Sequence, residues 1–251
     1  ASGVPFIAMT THVPVQSHHA GSVRTTPRER RRLLLDMAVR RHRVGTGSAR
    51  AFVSRRTAMQ EWPDLRAVLT NARWAVAGGV ATRAFMPERM TQDLDIVVHP
   101  DDMESVVALL AAAGFVVGEA LAVPGRTLRS PDGIEVDVLE GRFPWIDEAF
   151  GALATDPSGL PVLDLPYLIL MTLAASRTID LGDITRMLGL ASDGQLDAVR
   201  RAVGRFMPDD AGDLETMIYL GREEMGPPAG GRWVGRGNVM MCPITFRMAL
   251  R

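Results

Sequence analysis

A mixed α/β (α+β) fold is expected, with a small sheet core between an N-terminal helical region and a C-terminal helical segment. Three observations lead there. Short apolar runs of strand character, Trp74-Ala75-Val76-Ala77 and Leu94 to Val98, are separated by a glycine turn and a short helical stretch. Ser130-Pro131-Asp132-Gly133 is a hairpin-turn signature between two strand-like segments, so antiparallel pairing enters the sheet. Helical periods fill the chain on both sides, and no parallel strand–helix–strand series is evident. The expected regions are a disordered leader over 1–23, N-terminal helices over 24–71, the sheet core over 72–150, C-terminal helices over 151–225 and a tail over 226–251.

Each element has a local cause. Thr25-Thr26-Pro27 offers a capping hydroxyl and a proline for the first turn, so a helix is expected from there to about His42. Gly45 to Ser48 breaks it, a second helix is expected over Ala49 to Met59, and Pro63 opens a shorter one through Leu69. Gly78-Gly79 turns the first strand into a helix over Val80 to Phe85, which Pro87 ends. Pro100-Asp101-Asp102 caps a helix whose apolar positions, Val106, Val107, Leu109 and Leu110, recur at helical spacing, and Gly114 closes it. A strand starts at Phe115 to Val117. Thr127-Leu128-Arg129 and Ile134 to Val138 form the hairpin. Beyond Gly141 the pattern reads as helical: Leu165 to Ser176 behind Asp164, then Asp180 to Leu188, Asp193 to Phe206 and Asp209 to Arg222. Gly226 to Gly231 is a breaker cluster.

Composition limits the function classes. Apolar residues make up 47% of the 251, enough for a sizeable core, and the formal net charge of -1 provides no global field toward nucleic acid or membrane. The chain has no lysine, so all its basic residues are arginines, and no lysine is available for catalysis or phosphate binding. Cys242 is the single cysteine; it can form neither an internal disulfide nor a cysteine zinc site, and reads as inert. No apolar run has membrane-spanning length, and the first residues lack a signal-peptide pattern, so the expected setting is cytoplasmic.

Chemistry concentrates at Asp93 and Asp95. Two residues apart on a strand, both carboxylates face the same side. Their neighbours Leu94, Ile96, Val97 and Val98 are apolar, so two like charges sit in a poorly solvated setting, a conflict that a divalent cation with oxygen ligands resolves. An isolated Asp-x-Asp reads better as the solvated end of a strand. Three further features change that reading. Gly78-Gly79, between strand and helix, offers backbone N–H groups and a helix N-terminus to a phosphate. Asp137 alternates with Val136 and Val138 on a second strand. Arg89 and Thr91, directly upstream of Asp93, are suited to phosphate or to orienting a carboxylate, although a surface position is the commoner fate of each.

The ordered set of strand, Gly78-Gly79, helix, Arg89-Met90-Thr91-Gln92-Asp93-Leu94-Asp95, helix and hairpin strand with Asp137 resembles the nucleotidyltransferases of the DNA polymerase β-like superfamily. It is closest to the small bacterial ones, which include abortive-infection toxins and antibiotic-modifying enzymes. The resemblance covers Trp74 to Val138, and more loosely Leu165 to Leu188. It implies a polymerase β-like core in which Gly78 and Gly79 hold a nucleoside triphosphate (NTP), with ATP among the candidates. It further implies that Asp93 and Asp95 bind metal, and that Asp137 is the third carboxylate, activating the acceptor hydroxyl. The implied cofactor is Mg²⁺, with Mn²⁺ as an alternative, two ions serving the α-phosphate, the acceptor and the leaving pyrophosphate. Leu168 to Arg177, followed by Asp180 and Asp183, is similar to a later family motif, but Thr172 stands where a lysine is usual. Arg177 is the candidate substitute at the phosphates; it reads equally well as an ion-pair partner of Asp180 or Asp183.

The implied reaction moves a nucleoside monophosphate from an NTP to an acceptor hydroxyl. RNA such as tRNA is the first expectation for the acceptor, as in toxin-like members, with a cognate antitoxin as partner. A small molecule such as an antibiotic is the second. A degenerate fold that binds nucleotide or a protein without catalysis is a third, which Thr172 favours. The arginine run Arg28, Arg30, Arg31, Arg32, Arg40, Arg41, Arg43 offers a basic face for an RNA backbone. The preferred reading of that face is solvation, with Leu33, Leu34 and Met37 as the packing side.

Overall fold

The computed structural model describes residues 26–42, 61–87, 89–175 and 177–226. The expectations for the leader, for the helix over Ala49 to Met59, for Arg43, for Cys242 and for the tail after Gly226 lie outside those residues.

Helix α1 spans Pro27–Arg41. Thr26 and Glu29 close a reciprocal capping box: the Thr26 hydroxyl accepts from the Glu29 N–H at 3.2 Å, and the Glu29 carboxylate accepts from the Thr26 N–H at 2.7 Å. The expected packing side is reversed. Leu33 and Met37 are exposed, whereas Arg31 is 3% exposed and Leu35 lies in the core. The cause is charge pairing. Arg31 donates to Asp210 at 2.7 Å, to Asp213 at 2.9 Å and to the Leu173 carbonyl at 3.1 Å, which satisfies a buried guanidinium on three sides. Arg28 pairs with Asp209 and Asp210, and Arg32 with Asp213. The arginine face therefore docks on acids of the C-terminal helices.

Pro63 to Leu69 forms a turn rather than the expected helix. The Leu69 N–H reaches the Leu65 carbonyl, while the Asp64 carboxylate is held by the Arg66 backbone and guanidinium, a local competitor of helical bonding. Leu65 and Leu69 still anchor the segment in the core.

Seven strands form one mixed sheet in the order β3-β4-β5-β2-β1-β7-β6. They are β1 Trp74–Val76, β2 Asp93–Val98, β3 Val116–Ala120, β4 Gly125–Arg129, β5 Glu135–Glu140, β6 Leu153–Thr155 and β7 Pro161–Leu163. β2 runs antiparallel to β1 and parallel to β5, with Asp95 in register with Asp137. β4 pairs antiparallel with β5 through the expected hairpin, whose Gly133 has φ 83°.

Strands β6 and β7 fall in a stretch whose pattern reads as helical. They are three residues each, too short for a period. Their turn is nevertheless written in Asp156-Pro157-Ser158-Gly159: the buried Asp156 carboxylate accepts the Ser158 and Leu160 N–H groups and an Arg83 Nε–H at 2.6 Å. The sheet thus takes in residues beyond 150.

The helix after the glycines is also shorter than expected. α2 is a single turn, Gly78–Ala81, which tightens into a 3-10 turn over Thr82–Ala84. Helix α3, Met103–Ala112, buries Val106 and Leu110 but exposes Leu109. A 3-10 turn over Pro100–Asp102 precedes it, capped by His99, whose Nδ1 accepts from the Asp101 N–H. After the short α4, Ile146–Phe150, four helices complete the described chain: α5 Leu165–Ala175, α6 Thr178–Leu190, α7 Asp193–Phe206 and α8 Ala211–Met225. α6 and α8 cross closely enough at Gly189 and Gly221 that a Cβ on either would meet the other's backbone. One continuous core runs from Leu35 through the sheet to Ile218. No described helix is long and apolar enough to cross a membrane.

Candidate active site

Strand alternation makes the site. On β2, Leu94, Ile96 and Val98 are fully buried on one face, while Asp93 and Asp95 lie half-buried on the other. On β5, Val136 and Val138 are buried and Asp137 faces the opposite way. The parallel register sets Asp95 beside Asp137. One carboxylate oxygen from each of Asp93, Asp95 and Asp137 lies within 4.8 Å of the others. The three acids singled out in the sequence therefore share one face and one cluster. Beyond Asp95 the same face is closed: Val97 is buried and lies against Gly141, where Ile146 also packs.

Each carboxylate has an orienting partner. The Thr91 hydroxyl donates to Asp93 Oδ1 at 2.7 Å. The Thr127 hydroxyl donates to Asp137 Oδ1 at 2.7 Å from the directly opposed position on β4. Sequence reasoning points to Thr91 for such a role and misses Thr127. The signal is present, because a hairpin turning about Asp132 sets residue 127 opposite 137. The Gly79 N–H lies near enough to Asp95 to favour its charged form.

Asp95 is the electrostatic centre. Burial pushes its carboxyl up to about 6, and the neighbouring charges of Asp93 and Asp137 push the same way; the Arg177 guanidinium and the Gly79 N–H oppose them. Crowded, half-buried oxygen donors fit a hard divalent cation such as Mg²⁺ or Mn²⁺, and fit a soft metal poorly.

The glycine turn lies against the acids. Gly78 has φ 56°, and a Cβ there would run into the Asp95 carboxylate; a Cβ on Gly79 would stand 2.8 Å from Arg89 Nη2 and 3.2 Å from Thr91 Oγ1. Gly78 is thus the glycine fixed by close approach. The helix-end contribution expected from the sequence is small, since α2 is only one turn long. Individual N–H groups remain, and that of Gly79 favours the charged form of Asp95.

Arg89 sits at the turn, its Nε 2.6 Å from the Asp183 carboxylate. Arg177 holds Asp180 through Nε and Nη2 at 3.1 Å each, and its charge is felt at Asp95 and Asp93. The ion-pair reading of Arg177 is met, and its guanidinium is near enough to the aspartates for its charge to act on them. Thr172 bonds back to the Leu168 carbonyl at 2.6 Å and takes no part in this network.

No family model matches the chain, and no match was found among curated proteins. Among solved structures, the antibiotic-resistance factor ANT(2'')-Ia in solution is similar over 61% of this chain and 83% of its own, at 15% identity and a TM-score of 0.35. ANT(2'')-Ia crystallised with adenylyl-2''-tobramycin gives 60% and 88%, at 15% identity and a TM-score of 0.32. A CCA-adding enzyme in complex with CTP gives 63% and 46%, at 16% identity and a TM-score of 0.28. At these scores none of the three fixes the fold or the chemistry of this chain.

Proposed function

We propose that this protein is a metal-dependent nucleotidyltransferase of the polymerase β-like kind, moving a nucleoside monophosphate from an NTP to an acceptor hydroxyl. One observation carries the reading: Asp93, Asp95 and Asp137 bring carboxylate oxygens within 4.8 Å of one another beside a glycine turn. A fold without use for a cation has little reason to keep three acids so close, one of them pushed up to about 6.

Asp93, Asp95 and Asp137 would hold Mg²⁺ or Mn²⁺. Bound there, the metal would supply Lewis-acid stabilisation of charge on the reacting phosphate and lower the pKa of an acceptor hydroxyl. The chain's own groups do the rest. Thr91 and Thr127 fix the rotation of Asp93 and Asp137, so the acids meet a ligand in one arrangement. Asp137, on the strand beside β2, is the group to accept an acceptor proton. Gly78 and Gly79 let the turn lie directly against the Asp95 carboxylate and the Arg89 head group, so a phosphate drawn to the metal would meet backbone and cation together. Arg89 and Arg177 supply the cationic donors for phosphate that a lysine-free chain must draw from arginine.

Two acceptors are consistent with this site. An RNA end, as in toxin-like enzymes with a cognate antitoxin, is one. A hydroxyl of a small molecule such as an antibiotic is the other, and a specific observation favours it. Arg28, Arg31 and Arg32, the face suited to an RNA backbone, are paired with Asp209, Asp210 and Asp213. The test is incubation with each α-phosphate-labelled NTP and Mg²⁺, with total tRNA, with a panel of aminoglycosides, or with neither. Label on RNA supports the first acceptor and label on an aminoglycoside the second. Nucleotide binding without transfer to any acceptor would replace the enzyme with a binding protein.

A further inference from the structure

We propose that Asp180 and Asp183 are positioning residues that aim two arginines from separate segments, Arg177 and Arg89, at the phosphate groups of the nucleotide. The inference rests on the nucleotidyl-transfer reading and extends it to a pair of acids on α6 that touch neither the aspartate cluster nor the glycine turn.

Asp180 and Asp183 are three residues apart and so neighbours on the helix surface. They are 2% and 3% exposed. Carboxylates removed from water this far are costly, and well-packed apolar side chains would commonly serve the fold as well or better. Each one holds an arginine whose head group borders the site.

Asp183 takes Arg89 Nε at 2.6 Å, and the Met90 carbonyl takes Nη1 at 3.2 Å. The third nitrogen, Nη2, is turned to Gly79. Asp180 takes Arg177 Nε and Nη2 and also the Arg177 backbone N–H, each at 3.1 Å. The side chain is 63% exposed, and its charge is felt at Asp95 and Asp93. In both pairs the acid holds part of the guanidinium and leaves the head group near the site: Arg89 beside Gly79, and Arg177 within reach of the charge of Asp95 and Asp93. A planar fork fixed on one edge loses little further freedom when its other edge meets a phosphate.

Chemistry requires such cations here. Three carboxylates and a triphosphate repel one another, the chain has no lysine, and Thr172 is spent on the Leu168 carbonyl. Arg89 comes from the loop before β2 and Arg177 from the junction of α5 and α6. Two buried acids one turn apart on α6 hold them.

The experiment is calorimetric titration of the full-length chain with inorganic tripolyphosphate in excess Mg²⁺. It uses wild type, D183N, R89Q and their double variant, and D180N, R177Q and their double variant, with melting temperatures for all. Each single substitution is expected to weaken tripolyphosphate binding about tenfold or more. Each double variant should bind within about threefold of its weaker single, because acid and arginine act through one guanidinium. D183E and D180E, which keep the charge, should recover part of the affinity, and they replace the asparagine variants if those fail to fold. Acids that only hold the fold together would lower melting temperature and leave affinity unchanged, and that result overturns the proposal. Losses that add within a double variant overturn it too. If D95N abolishes binding while D183N and D180N bind like wild type, this inference fails and the transferase reading stands. If wild type binds neither tripolyphosphate nor any NTP, both fail.

Discussion

Replacing Asp95 with asparagine should raise the stability of the metal-free protein while removing its chemistry. In the folded chain the Asp95 carboxyl is pushed up to about 6 from an ordinary 3.8, chiefly by burial and by its two acidic neighbours. The folded state therefore holds this proton more tightly than the unfolded state does. Stability from that source is fully present below about pH 4, falls as pH rises from about 4 to 6, and stays lost above. The difference corresponds to about 3 kcal/mol at pH 8. The asparagine side chain keeps the size and polarity of the carboxyl and has no charge to bury. The variant should melt roughly 6–12 °C above wild type at pH 8 in a chelator, at roughly 2–4 °C per kcal/mol for a chain of this size. The gap should close as pH falls toward 4. Saturating Mg²⁺ should then raise wild type selectively, by about 2.7 kcal/mol at a hundred times its Kd. Scanning calorimetry at pH 4 and pH 8, with and without Mg²⁺, measures all four corners. A variant that melts at or below wild type at pH 8, a gap independent of pH, or an equal Mg²⁺ shift in both proteins would refute the reasoning.

Other substitutions test other parts of the site. T127V removes the hydroxyl that orients Asp137; transfer should fall about tenfold or more, at a stability cost of about 1 kcal/mol, in paired kinetics and melting. G78A places a Cβ against Asp95 at a positive φ, and G79A meets the movable end of Arg89; denaturant titration should show the first to be the more damaging, by about 1–3 kcal/mol. R31L removes the buried partner shared by Asp210 and Asp213, leaving them only Arg28 and Arg32 nearer the surface, and should cost about 3 kcal/mol by urea unfolding. An R31L variant as stable as wild type would mean that α1 does not need this pairing.

The candidate site was more legible in the sequence than the elements around it. Strand period two put Asp93 and Asp95 on one face, and the hairpin signature fixed the strand that carries Asp137. These features are local, and local sequence states them. The parallel pairing of β2 with β5 is not local, and only the resemblance linked the two strands. The arginine face of α1 shows the opposite case. The arginine run marked a basic face, but the acids that Arg28, Arg31 and Arg32 meet lie about 180 residues away, so a buried ion-pair seam read as a solvated surface. β6 and β7 were missed because three-residue strands carry no period, although Asp156-Pro157-Ser158-Gly159 marked their turn. The helix expected over Pro63 to Leu69 fails through its own Asp64–Arg66 pair, which sequence shows as composition and not as geometry.

On the proposed reading, Asp93, Asp95 and Asp137 form a metal-dependent transfer site. The direct test is label transfer from α-phosphate-labelled NTPs to the acceptor panel by wild type, D93N, D95N and D137N, with Mg²⁺, with Mn²⁺ and with chelator. The expected result is transfer by wild type with either metal, none in chelator, and a loss of a few orders of magnitude in each variant while all three remain folded. Transfer that survives chelation, or that persists at wild-type rate in any of the three variants, would contradict it.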